Sequence, residues 1–417
     1  MGDILFLSHR IPFPPDRGDK IRSHHVLKAL AALAPVHVAT FADDAHDHAS
    51  EPDLAALAAS YRLVERRKPL PVAGIQALAS GRPISLTAFH DRRLEAYVHE
   101  VLATREIDAI FVFSGQMAQY VPPDFAGRVV ADLVDVDSAK FDAYAAKGRG
   151  LRAWVERREG LLLRAEEARI AALADATLLV SRAEAELLRS RLPGDAGPHV
   201  AGKVGAMGNG MDSATFDPVG VAPEPRMLAH GAPRIVFTGQ MDYAPNIAAA
   251  TRAIERILPL VREECPEASL HIVGRNPPAA LAALGGRDGV EVWGRVDDIR
   301  PWLAAADVAL VPLEIARGVQ NKVLEAMAMA LPVVLSPGAA TGIDARDGRD
   351  FLVRESDAAM AQAIVELARA PAAAKALGEA ARCWIVANAS WDAALAALPA
   401  YLFGDHADSA IETLVDA

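Results

Sequence analysis

The chain has 417 residues, 52% of them hydrophobic and 6% aromatic, with 43 Lys and Arg against 54 Asp and Glu, a net charge of −11. The length predicts two domains or three, and the composition an Ala- and Leu-rich soluble α/β protein. The acidic balance excludes general nucleic-acid binding. No apolar run approaches the ~20 residues that span a bilayer. A strand starts at once, with no signal-peptide pattern. Cys265 and Cys383 stand far apart without metal-ligand spacing. Together these predict a cytoplasmic protein in a reducing compartment, at most peripheral to a membrane.

Asp3–Ser8 is a short apolar strand, followed by a Pro- and Gly-containing loop from His9 to Gly18. Asp19 to Leu33 reads as a helix and Val36 to Phe41 as a strand, the first β-α-β of a doubly wound sheet. The loop lies at the strand's carboxyl end, where such folds bind ligands. Gly18 lets a phosphate or sugar approach the backbone closely, or is an ordinary turn residue. Asp43 to His48 looks like metal ligands, but such a wholly polar stretch after a strand is more often a solvated loop. Residues 62–93 are basic, through Arg62, Arg66, Arg67, Lys68, Arg82, Arg92 and Arg93, with apolar residues interleaved. Such a segment can sit on an anionic membrane face, or form helices packed on the sheet with a charged outer side.

Asp108–Ser114 and Arg128–Ser138 are further strands with polar ends. Asp135 and Asp137 either orient a substrate hydroxyl or cap the next helix. Arg152–Ala174 is a long helix, and Asp217–Pro233, Pro-rich and without period, is the expected linker. The second domain opens with the strand ending at Gly239-Gln240. Two more strands lead to the turn Gly294-Arg-Val296-Asp-Asp298, whose aspartates are also ordinary cap residues. Then comes the organising unit: strand Val308–Pro312, the polar turn Arg317-Gly318-Val319, helix Gln320–Ala330 and strand Val333–Leu335. Val323, Leu324, Met327 and Ala328 have helical spacing, and Pro332 stops the helix. A helix N-terminus here suits a phosphate, and Arg317 and Lys322 add cationic donors. Glu325, one turn in, can accept hydrogen bonds from sugar or ribose hydroxyls, or pair with Lys322 at the surface. Ser336 to Ala345 is a second small-residue loop containing Gly342.

Gly318-x-x-Asn321-Lys322-x-x-Glu325-Ala-Met-Ala and Pro332-Val-Val resemble the donor-site signature of family-4 type retaining glycosyltransferases of the GT-B fold. Within that group the string is similar to exopolysaccharide sugar transferases associated with exosortase (PEP-CTERM) systems. The likeness runs from about Ile4 to the last helices. It implies an α/β chain of two Rossmann-like doubly wound domains facing across a cleft. The expected boundaries are 1–217 for the acceptor-side domain, 218–233 for the linker, 234–390 for the donor domain, and 391–417 for helices crossing back. A nucleoside-diphosphate sugar is the implied donor, with a saccharide or lipid-linked acceptor and neither cofactor nor metal.

By the same likeness Arg317, Lys322, Glu325 and Asp135 carry the chemistry. Gly18, Gly239, Gln240, Gly294, Val296, Gly318, Asn321 and Gly342 hold the donor. Lys20, Ser114, Asp137 and Ser138 face the acceptor. The chain also departs from the family. Arg317 stands where a first Glu is usual, and Val134 where a His is usual. Gln240 and Asn246 stand at or near the places of an Arg and a Lys that clamp the diphosphate. A nucleotide-sugar epimerase of this fold and a non-catalytic nucleotide-sugar binder are the alternatives.

Overall fold

The computed structural model describes residues 2–194, 197–314 and 319–404. They form two units, one of residues 2–194, 197–209 and 394–404, the other of residues 210–314 and 319–393.

The first unit is built on seven parallel strands. They are β1 (Asp3–Ser8), β2 (Val36–Ala42), β3 (Ser60–Glu65), β4 (Ile107–Phe113), β5 (Arg128–Val134), β6 (Ala176–Leu179) and β7 (Val204–Ala206). Their order is β3-β2-β1-β4-β5-β6-β7. Leu5, Phe6, Ile110 and Phe111 are wholly buried, which is why these strands read as unbroken apolar runs: helices cover both faces of a parallel sheet. β3 lay hidden in a stretch read as basic and helical. It is an edge strand, and only Val64 among its residues is buried.

The second unit has six parallel strands. They are β8 (Arg234–Thr238), β9 (Ser269–Val273), β10 (Val290–Gly294), β11 (Val308–Val311), β12 (Val333–Leu335) and β13 (Leu352–Val353), in the order β10-β9-β8-β11-β12-β13. Each unit has its own apolar core. Val323, Leu324, Met327 and Ala328 sit in the second core, as their helical spacing predicts.

The segment 218–233, expected as a linker, belongs to the second unit. Met227 is wholly buried in that core, and Glu224 N donates to Pro301 O at 2.9 Å. Of the C-terminal tail, residues 394–404 join the first unit: Leu398 and Leu402 are buried, and Arg128 Nε donates to Tyr401 O at 3.0 Å. Among the described residues no helix is long and apolar enough to cross a membrane.

Candidate functional site

Both sheets reverse direction once, and ligands bind at the carboxyl ends of strands beside such a reversal. In the second unit the reversal lies between β8 and β11. The loop after β8 carries Gly239 and Gln240. The loop after β11 leads into helix Asn321–Ala328, and among the described residues no side chain caps that helix's start. Arg317 and Gly318 lie outside the described residues.

Lys322 reaches from this helix across to the β8 loop. Its Nζ donates to Asn246 Oδ1 at 2.6 Å, and Asn246 Nδ2 donates to Gln240 O at 2.9 Å. The ammonium also lies 4.9 Å from the Phe237 ring centroid. Gly239, at φ 152°, is directly beneath: a Cβ there would stand 3.0 Å from Asn246 Nδ2 and 3.1 Å from Lys322 Nζ. Burial pushes the Lys322 ammonium down to about 8, against the pull of Glu325. Burial also raises Glu325, and Lys322 offsets part of that. The ion pair weighed for Lys322 and Glu325 is not what forms; the ammonium turns to an amide oxygen. The Lys322 ammonium thus stands beside position 246, near which the resemblance leads one to expect a cation.

The rim of this site is made of small residues. Gly274 N donates to Gly294 O at 2.9 Å, and a Cβ on Gly274 would stand 1.6 Å from Gly239 O. Gly342, at φ 82°, brings the loop after β12 against Val319, where a Cβ would meet Val319 Cγ2 at 3.1 Å. Asn321 and Gln240 are exposed. Val296 packs its side chain on the core. Asp298, two residues before the next helix, accepts from Arg300 N at 2.9 Å.

In the first unit the reversal lies between β1 and β4. His9 and Arg10, directly after β1, escaped the sequence reading. His9 stacks on Phe113 at 5.8 Å, and its Nε2 is 3.3 Å from Asp19 Oδ2. Arg10 Nη1 donates to Asp19 at 2.6 Å, and Arg10 Nε to Asp43 at 2.6 Å. His9 foremost, with Arg10, holds the Asp19 carboxyl well below its usual range despite burial. Among the described residues His9 Nδ1 is buried without a partner. The available signal was a histidine and an arginine placed immediately after an apolar strand. Gly18 opens the following helix, exposed, and a Cβ there would meet nothing within 4 Å.

Val134, in the family's histidine position, has φ 68°, and Ser114 has φ 76°. A β-branched residue in the left-handed region costs about 1–3 kcal/mol, a strain that clusters at ligand sites. Asp135 and Asp137 are partly exposed, and Lys140 Nζ bridges them at 2.8 and 3.1 Å.

Three expectations need correction. Lys20 is wholly buried rather than facing an acceptor: its Nζ donates to Asp47 Oδ1 at 2.5 Å and to Phe13 O at 3.1 Å. Ser138 is also buried, with its N and Oγ both donating to Glu167, at 2.8 and 2.5 Å. The stretch Asp43–His48 is neither metal site nor solvated loop. Asp44 caps helix Ala45–Ala49, Asp47 is buried, and Asp43 holds two arginines. Among the described residues no group of three or more His, Cys, Asp or Glu is placed to hold a metal. A buried ion pair also went unread: Arg22 Nε donates to Asp132 Oδ2 at 2.8 Å.

Residues 232–370 match the family model described as "Glycosyl transferases group 1". No curated protein matches the chain. Among solved structures the chain is similar to Anabaena HepE in complex with UDP and glucose, at 15% identity and TM-score 0.53, covering 100% of each chain. Sucrose-phosphate synthase of Thermosynechococcus elongatus matches at 18% identity and TM-score 0.55, again over 100% of each chain. A glycosyltransferase of Rickettsia africae matches at 13% and 0.56, over 99% of this chain and 98% of that one. The chain therefore has the GT-B fold, and its second unit carries a glycosyl transferases group 1 domain.

Proposed function

We propose that the protein is a retaining glycosyltransferase. It moves a sugar from a nucleoside-diphosphate sugar to a saccharide or lipid-linked acceptor, in exopolysaccharide synthesis at the inner face of the cell membrane. The observation that carries this is Lys322. A desolvated ammonium stands over Gly239, beside Asn246, at the switch point of the sheet in the group 1 domain. HepE, a structural neighbour, is complexed with UDP and glucose in one structure and with UDP-glucose in another.

Sugar departure leaves charge on the diphosphate. Preorganised cations and helix N–H groups stabilise that charge where it develops. Lys322 is the point charge, Arg317 the bidentate partner, and Glu325 the acceptor for ribose hydroxyls. Gly18, Gly239, Gln240, Gly294, Gly318, Asn321 and Gly342 line the donor, and Val296 meets it through its backbone. The acceptor hydroxyl, oriented by Asp135 with Asp137 and Ser114 nearby, attacks the same face and passes its proton to the leaving phosphate. The scheme needs no metal.

A second reading, a non-catalytic nucleotide-sugar binder, is favoured by the inward turn of Lys20 and Ser138 and by the Lys140 bridge across Asp135 and Asp137. A thermal-shift screen across nucleoside diphosphates and their sugars tests donor binding, because a ligand of the native state raises the melting temperature. Donor turnover with a membrane extract then separates the two readings. Transfer to an acceptor with retained anomeric configuration supports the transferase; binding without turnover supports the binder. No shift with any nucleotide refutes both.

A further inference from the structure

Helix Leu70–Ser80 is inside out. Its two wholly buried residues are Ala73 and Ala77, while Leu70, Ile75 and Leu78 are 64%, 70% and 58% exposed. An ordinary surface helix buries its large apolar residues and shows polar ones to water. A second helix continues the surface. In helix Gly150–Leu173, Leu151, Trp154 and Leu161 are 77%, 52% and 70% exposed. They share a stripe with Arg158, at three- and four-residue steps. Arg158 Nη2 donates to Ala77 O at 2.8 Å, which places the stripe beside the first helix.

Along these two segments themselves, residues 66–90 and 149–164, the exposed charge has one sign. Residues 66–90 contain no Asp or Glu. In the second helix Glu156 and Glu159 are buried, and Glu159 caps Ile84 N and Ser85 N at 2.8 and 2.9 Å. Arg149 and Arg157 stay exposed, and so does Arg152, whose Nε donates to Glu156 Oε1 at 2.8 Å. Meanwhile two of the cations expected to make a purely electrostatic dock, Arg66 and Lys68, are engaged within the protein. Arg66 bonds Asp43 at 2.6 Å and covers the Phe89 ring, and Lys68 donates to Thr87 O and His90 O at 2.7 and 2.9 Å.

We propose that this two-helix surface inserts into an anionic lipid bilayer, with Leu70, Ile75, Leu78 and Trp154 entering the headgroup–acyl boundary and the arginines meeting lipid phosphates. Exposed apolar patches of this kind mark interaction surfaces. An apolar face ringed by cations fits a negatively charged membrane, where apolar burial and charge attraction add. The inference rests on the reading of the protein as working at a membrane. It is scored without donor, so its failure leaves the transferase reading to be judged by nucleotide binding.

The test is sedimentation with vesicles of phosphatidylglycerol and phosphatidylcholine in equal parts, against phosphatidylcholine alone. Wild type is expected to bind the anionic vesicles, to keep part of that binding in high salt, and to show tryptophan fluorescence quenched by brominated lipid, a quenching that Trp154→Phe removes. The double variant Ile75→Glu, Leu78→Glu changes only exposed side chains, so its melting temperature stays at the wild-type value. Its partitioning is expected to fall by about ten-fold or more. Unaltered partitioning of that variant overturns the inference. So does a wild-type dimer in gel filtration that the same variant turns into monomers, because a second copy would then cover the surface.

Discussion

If Lys322 binds the donor diphosphate as an ammonium, donor affinity must titrate with it. Burial holds this lysine near 8 in the free protein. About nine-tenths of it is then charged at about pH 7 and about one-tenth at about pH 9. The sign follows from the partner: an arriving diphosphate favours the charged form, so binding takes up a proton and affinity falls as pH rises through about 8. If only the ammonium form binds, the dissociation constant rises about ten-fold over that interval, equivalent to about 1.4 kcal/mol. The assay is calorimetric titration with a nucleotide sugar, whose diphosphate diester does not itself ionise in this range. Buffers of different ionisation heat count the proton. Lys322→Arg keeps a cation that cannot deprotonate and is expected to flatten the profile. Lys322→Met is expected to flatten it at lower affinity, leaving Asn246 Oδ1 without its donor. A wild-type affinity that is constant between about pH 7 and about pH 9 would refute the role.

Glu325→Gln keeps shape but weakens a charge-assisted acceptor, so donor affinity or turnover should fall with the melting temperature held; unchanged kinetics remove the ribose assignment. Arg317→Lys keeps charge and loses the fork, and donor turnover should fall by roughly ten-fold, about 1.4 kcal/mol of transition-state binding. Arg317→Glu should be worse still, and wild-type activity in it would overturn the diphosphate clamp. Arg22→Met strands the buried Asp132 carboxylate and should destabilise the first unit by about 3–5 kcal/mol in urea unfolding; a loss under about 1 kcal/mol contradicts the buried pair.

The alternation of apolar strand, helix and turn was enough to settle the doubly wound class, because parallel strands covered on both faces must be apolar throughout. Helix Asn321–Ala328 was legible for the same reason: its apolar spacing and Pro332 are local signals. Edge strand β3 was not legible, since a strand half open to solvent carries no such run. Charged residues misled most. Lys20 and Asp47 lie 27 positions apart, and Arg22 and Asp132 lie 110 apart, so only the packed chain reveals that each pair is buried. The inverted helix Leu70–Ser80 was hidden in the same way, because periodicity gives an apolar face but not the side to which it turns. The sequence showed a lysine missing near residue 246. The tertiary structure decided that the Lys322 ammonium, 76 positions away on another helix, stands 2.6 Å from the Asn246 side chain, because β11, which leads into that helix, lies beside β8 in the sheet.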